Sequence, residues 1–190
     1  MLHALSEKVK RMSSARPLLL LTLLFIVMYM LINGQPFGIA EFNERFDGLA
    51  PLDQREGYTY QDVCAFMEKI GDTGRMFYAK MLLLLDFAFP LAYTLFWAAA
   101  IAFFWGRLLP CNSKLMYISL IPFAAGLADY LENLLLLSML FSYPKILNLV
   151  VLLANFMTNA KDLFMWASLL LLLVGLMLYL IKLAGKTIKR

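Results

Sequence analysis

Four long stretches of the chain are apolar at nearly every position, and polar segments separate them. They run from Pro17 to Asn33, Met76 to Gly106, Leu115 to Phe141 and Ile146 to Leu183. About 17–25 consecutive apolar residues, rising about 1.5 Å each, cross the hydrocarbon core of a bilayer as a helix. The pattern therefore predicts an all-α integral membrane protein, a four-helix bundle of transmembrane helices. Ahead of the first run, Leu2, Leu5, Val9 and Met12 recur at helical spacing opposite Lys8, Lys10 and Arg11. Residues 1–16 thus read as a basic amphipathic segment on a membrane surface. The segment 34–75 is polar and rich in Pro and Gly at first. It then carries Thr59 as a helix cap with Val63, Phe66, Met67 and Ile70 on one face and a stop at Gly71. It is expected to be a capped extracytoplasmic loop containing a short amphipathic helix. The remaining pieces are a connection at 107–114 and a basic tail at 184–190.

Composition agrees. Hydrophobic residues make up 62% and charged residues 16% of the 190, against about 45–50% and 25% in soluble domains, which excludes a soluble single-core domain and a disordered chain. The excess of basic over acidic residues, 17 to 13, raises the question of nucleic acid until the charges are placed. Ten of the 17 lie at 8–16, 107–114 and 182–190, whereas residues 34–75 hold eight acids and four bases. Positive segments stay cytoplasmic, so both termini and 107–114 are expected inside and the 34–75 loop outside. Membrane lipids are the expected partners, nucleic acid is not, and the oligomeric state is left open. A bacterial inner membrane is preferred, because the chain is compact and has no Asn-x-Ser/Thr acceptor. A competing reading is a cleaved secretory signal, since Gly38-Ile39-Ala40 imitates a cleavage site; a mature chain starting at Glu41 would defeat the four-span reading.

The chemistry open to the chain is narrow. Cys64 and Cys111 are expected on opposite sides of the bilayer, which excludes a dithiol pair. His3 is the sole histidine, so zinc, haem and iron–sulfur sites are not expected. No phosphate-binding loop, dinucleotide fingerprint or nucleophile elbow is present. No catalytic residues are assigned.

The informative feature is the depth of the acids. Measured from the basic ends, about twenty residues lead from Arg107 to Asp86, roughly fifteen to eighteen from Lys114 to Asp129 and Glu132, and about twenty from Lys182 to Asp162. Three helices therefore deliver carboxylates to one level near the outer boundary, and largely apolar segments continue beyond it. Pro122, Gly126, Asp129 and Glu132/Asn133 share a helical face, with Gly126 permitting close approach of a neighbour. Asp86, Pro90, Tyr93 and Trp97 share another, with Arg75 near the same line, and Asn155, Asn159, Asp162 and Trp166 a third, with Lys161 beside it. Pro90 and Pro122 are expected to kink their helices. A charge facing lipid costs about 2.5–3.5 kcal/mol even on a lenient scale, so these faces should converge.

Two readings follow. In the first, Asp86, Asp129, Glu132, Asn133, Asn159, Asp162 and Tyr93 form a site for a proton, a cation or a small cationic or hydroxylated ligand, with Arg75 and Lys161 as charge partners. Tyr78, Tyr130 and Trp166 would add to its walls. Acids outnumber bases, so a carboxylate is left to be protonated, solvated or bound; no cofactor is expected, though carboxylates with Asn oxygens suit a hard cation such as Mg²⁺, Ca²⁺ or Na⁺. In the second, the cluster is an ion-paired lock, with Lys80 as a further base, in a non-enzymatic scaffold or assembly factor. Intramembrane hydrolysis by an Asp pair ranks third, since no histidine base lies in a span.

Overall fold

The computed structural model describes residues 2–55, 57–110 and 113–187, with residues 186 and 187 as backbone only. Cys111, the Lys186 side chain, Lys189 and Arg190 lie outside the described residues. Among those described, every regular element is helical: α1 (Leu2–Met12), α2 (Ala15–Asn33), α3 (Ile39–Arg45), α4 (Tyr60–Met81), α5 (Phe89–Trp105), α6 (Ile121–Ser142) and α7 (Asn148–Thr187). Short 3₁₀ segments occupy Leu52–Gln54 and Lys114–Leu120, and a π-helical turn occupies Leu82–Asp86. Four stretches are long and apolar enough to cross a membrane: α2, the run from α4 through α5, the run from Lys114 through α6, and α7. Of the residues of α2, Ile32 alone is buried. A helix apolar all round, half-buried on the one face that meets α5 and exposed on the rest, is suited to lipid.

α1 folds back against α5, burying Val9 among Ala98, Ala102 and Met116. Its polar face keeps Lys10 paired with Glu7 at 2.7 Å. α5 is the hub of the apolar region and packs on α2, α6 and α7; α6 and α7 pack along each other most extensively. Gly126 sets the α5–α6 approach, because a Cβ there would lie 2.3 Å from Thr94 Oγ1. The Trp105 indole Nε1–H donates to the Leu171 carbonyl at 2.9 Å, which ties α5 to α7.

Several expected boundaries move. Thr59 caps α4, its side chain and that of Asp62 each satisfying the other's backbone N–H. The first helix does stop at Gly71, as expected, but a second follows it directly. That residue takes φ 62°, a left-handed conformation that glycine adopts without penalty, and helix resumes beyond it to Met81. The expected second span is thus three pieces: the end of α4, the π turn and α5. Pro90 and Pro122 are not mid-helix kinks. Both stand in the first turn of their helices, where a missing N–H breaks no bond of a preceding turn of the same α-helix. α3 was not expected at all; it is too short for its periodicity to register.

α7 has 40 residues, about 60 Å of helix, or twice the hydrocarbon thickness of about 30 Å. Its N-terminal part, the C-terminal part of α6 and most of α4 project past the acidic level, where residues of the 34–75 segment cover them. Phe42, Leu52, Val63, Met67, Leu82 and Met139 are fully buried in this larger core. One face of each projecting segment is thus stabilised by protein contacts, while Phe141 of α6 and Leu149, Leu152 and Phe156 of α7 remain exposed.

Candidate acidic cavity

The acids and their neighbours lie where the projecting core meets the apolar helices. The π turn explains Asp86. Pro90, in the first turn of α5, offers no N–H to the Asp86 carbonyl. Asn133 Nδ2 on α6 donates to it at 2.9 Å, and the Tyr130 hydroxyl donates to the neighbouring Phe87 carbonyl at 2.8 Å. Two side chains of α6 therefore hold the break in place, and the Asp86 carboxyl is left buried, 7% exposed.

The cluster has two halves with different bonding. In the first, Lys161 Nζ of α7 contacts Glu132 Oε2 at 2.6 Å as an ion pair, off the hydrogen-bonding direction. The Thr158 hydroxyl donates to Glu132 Oε1 at 2.6 Å. Its one proton is then spent, so at 3.4 Å it accepts from the Tyr58 hydroxyl. Burial pushes the Tyr58 phenol above its ordinary range, which keeps it a protonated donor. Glu132 is fully buried and Lys161 nearly so; each has its counter-charge within the chain.

The second half lacks that closure. The Tyr93 hydroxyl donates to Asp129 Oδ2 at 2.9 Å, and Asn133 Nδ2 approaches Oδ1 at 3.4 Å. Tyr78 donates its hydroxyl proton to Asp53 Oδ1, while Gln54 Nε2 donates to Oδ2 at 2.9 Å. The Asp86 carboxylate has no hydrogen bond or ion pair among the described residues, and Asn133 Oδ1 is buried without a donor. Acceptors exceed donors here, which is the costly state for buried polar groups. Asp53, Asp86, Asp129 and Asp162 all line one cavity of about 410 Å³, together with Lys161. Asp162 is exposed at its edge. Arg55 also reaches the wall, but its guanidinium donates to the Ala50 carbonyl at 3.1 and 3.0 Å and lies 4.8 Å above the Phe66 ring.

Asp86, Asp129, Glu132, Asn133, Tyr93 and Lys161 are thus brought together, with Asp162 on the rim. Arg75 is not. It pairs with Asp72, donates to the Met67 carbonyl at 2.6 Å and sits 4.4 Å over the Tyr143 ring. The π turn is the reason: it inserts a residue into the helical repeat, so Arg75 and Asp86 no longer share a line. Lys80 is exposed and faces a different cavity, beside Phe37 and Arg45. Asn159 is exposed and donates to the Asn155 carbonyl of its own helix at 2.7 Å. Sequence reasoning passed over Asp53, Tyr58 and Thr158. Thr158 was legible, being one turn before Lys161 and Asp162 on α7; Asp53 and Tyr58 arrive through the fold of a loop, which carries no periodicity.

Among the described residues no three His, Cys, Asp or Glu side chains converge closely enough to hold a metal ion. The carboxylates instead ring a space of organic-ligand size; binding pockets run from about 300 Å³ upward. Comparison of the chain with protein-family models, curated proteins and solved structures finds no match.

Proposed function

We propose that this chain is a multi-pass membrane protein that binds an organic cation in the acidic cavity, with Asp86 as the principal counter-charge and Asp129 as its oriented neighbour. The observation that carries this reading is the Asp86 carboxylate, buried, without a partner and facing a space shared with three other aspartates. A cation with N–H donors adds positive charge and hydrogen-bond donors to a wall whose own cations, Lys161 and Arg55, are engaged elsewhere; protons compete for the same oxygens. The spread of the carboxylates favours an ammonium group over a bare metal ion. By the charge distribution along the chain, both termini face the cytoplasm and the cavity lies toward the outer face, in a bacterial inner membrane. No catalytic role is proposed.

The scaffold reading has its own support in the Glu132–Lys161–Thr158–Tyr58 half, which is satisfied internally. We assign that half to holding α6, α7 and the loop together. Comparing Asp86→Asn with Glu132→Gln separates the roles. A binding site predicts that Asp86→Asn keeps its yield and unfolding temperature but loses thermal stabilisation by alkylamines, whereas Glu132→Gln loses folding. If both variants lose folding, and wild type gains no stability from any amine, the cavity is structural only.

A further inference from the structure

The cavity is walled on one side by the last turn of α2, through Tyr29, Ile32 and Asn33, and on the other by α7, through Lys161, Asp162, Met165 and Trp166. These two helices are not packed along each other. α2 rests on α5, on the π turn and on α3, and its contact with α7 is marginal. The space between them is therefore a slot. Its two aromatic rim residues both line the cavity and stand free on the outside, Tyr29 53% and Trp166 70% exposed. On both helices the surface away from the cavity continues as exposed apolar side chains, Ile26 and Val27 on α2, Leu163 and Leu170 on α7. For helices that cross a bilayer this surface belongs to lipid, and Tyr and Trp are enriched at headgroup depth, the level that Tyr29 marks near the end of α2 and that Trp166 faces midway along α7.

Resting on the cation-binding reading above, we infer that the ligand is an amphiphile that enters sideways from the bilayer: a long-chain alkylammonium whose head reaches Asp86 and whose tail leaves between Tyr29 and Trp166 into the leaflet. A purely water-soluble cation does not call for a slot rimmed by exposed aromatics at lipid depth. A phosphate-bearing headgroup is disfavoured by the lining aspartates. Of the two cations in the wall, Lys161 is bound to Glu132, and Arg55 is turned to the Ala50 carbonyl and the Phe66 ring.

The test uses the full chain in nanodiscs of zwitterionic lipid, titrated with propylamine, dodecylamine and dodecylphosphocholine and read by saturable stabilisation of the folded protein. Burial of methylenes along the slot predicts dodecylamine binding at least about tenfold tighter than propylamine. Trp166→Ala, at a rim position that is 70% exposed, weakens dodecylamine several-fold more than it weakens propylamine; Asp86→Asn loses both. Equal affinity for the two amines overturns the sideways-entry inference and leaves the cation site standing. Dodecylphosphocholine binding as tightly as dodecylamine overturns the inference too, because the site then selects tails or zwitterions rather than ammonium. If neither amine binds wild type, the cation-binding reading itself fails and takes this inference with it.

Discussion

Lys161 and Asp86 are both buried beside one cavity, and they differ in where their counter-charge comes from. Lys161 finds Glu132 at 2.6 Å; Asp86 finds no partner within the chain. Removing one member of a buried pair leaves a stranded charge and costs about 3–5 kcal/mol, whereas replacing both with apolar groups of similar volume is close to neutral. Lys161→Met and Glu132→Leu singly should therefore each lower the unfolding temperature of the detergent-solubilised protein sharply, and the double variant should recover most of the loss. Failure of the double variant to recover would mean that the pair positions something beyond itself. Asp86→Asn should behave in the opposite sense: without ligand its stability is equal to or above wild type, since a buried carboxylate without a donor is relieved. Gly126 offers a steric test at the same scale. A Cβ 2.3 Å from Thr94 Oγ1 forces α5 and α6 apart, so Gly126→Val should cost about 1–3 kcal/mol or more, against little for Gly185→Ala, whose Cβ meets open space.

At the scale of elements, the breaks place the chemistry. Gly71 jogs α4 at positive φ, and the π turn at Leu82–Asp86, held by the side chains of Asn133 and Tyr130, swings Asp86 inward. Gly71→Ala should cost about 1–2 kcal/mol through the left-handed backbone alone, since its Cβ would meet nothing within 4 Å. Pro90→Ala should cost less than about 1 kcal/mol, because Pro90 stands in a first turn, whereas a proline introduced at Ala98 in the middle of α5 should cost about 3 kcal/mol. Thermal denaturation of the three variants side by side checks both points. These breaks also mark where the sequence was legible. Asp86, Asp129, Glu132 and Lys161 could be placed at one depth because a helix rises by a constant amount per residue, and small errors in boundary shift depth by a few ångströms only. Facing is less forgiving: one inserted residue turns everything beyond it by about 100°, which is why Arg75 was placed on the Asp86 line and is found on Asp72 instead. Asp53 and Tyr58 were beyond reach for another reason, since their positions depend on how an aperiodic loop packs over α4 and α7.

On the scale of the molecule, helices too long for a bilayer and a loop that covers their ends are two sides of one arrangement. The apolar parts of α4, α6 and α7 that project past the acids share a core with Phe42 and Leu52 of the 34–75 segment. The acidic cavity thus sits where protein core gives way to lipid-facing helix, a boundary at which charge is tolerated and apolar tails are available. The expected orientation has a direct consequence: Cys64, partly accessible on α4, should react with a membrane-impermeant maleimide in intact cells in a Cys111→Ser background, while Ser13→Cys in a Cys64→Ser/Cys111→Ser background should react only after permeabilisation. The reverse pattern would invert the topology and put the cavity on the cytoplasmic side. The claim on which the rest depends is tested most directly by calorimetric titration of dodecylamine into wild type and Asp86→Asn in zwitterionic nanodiscs. A charge-assisted contact of about 1.5–3 kcal/mol predicts one saturable site per wild-type chain, weakened at least about tenfold in the folded variant; superimposable isotherms for the two proteins would contradict a cation site at Asp86.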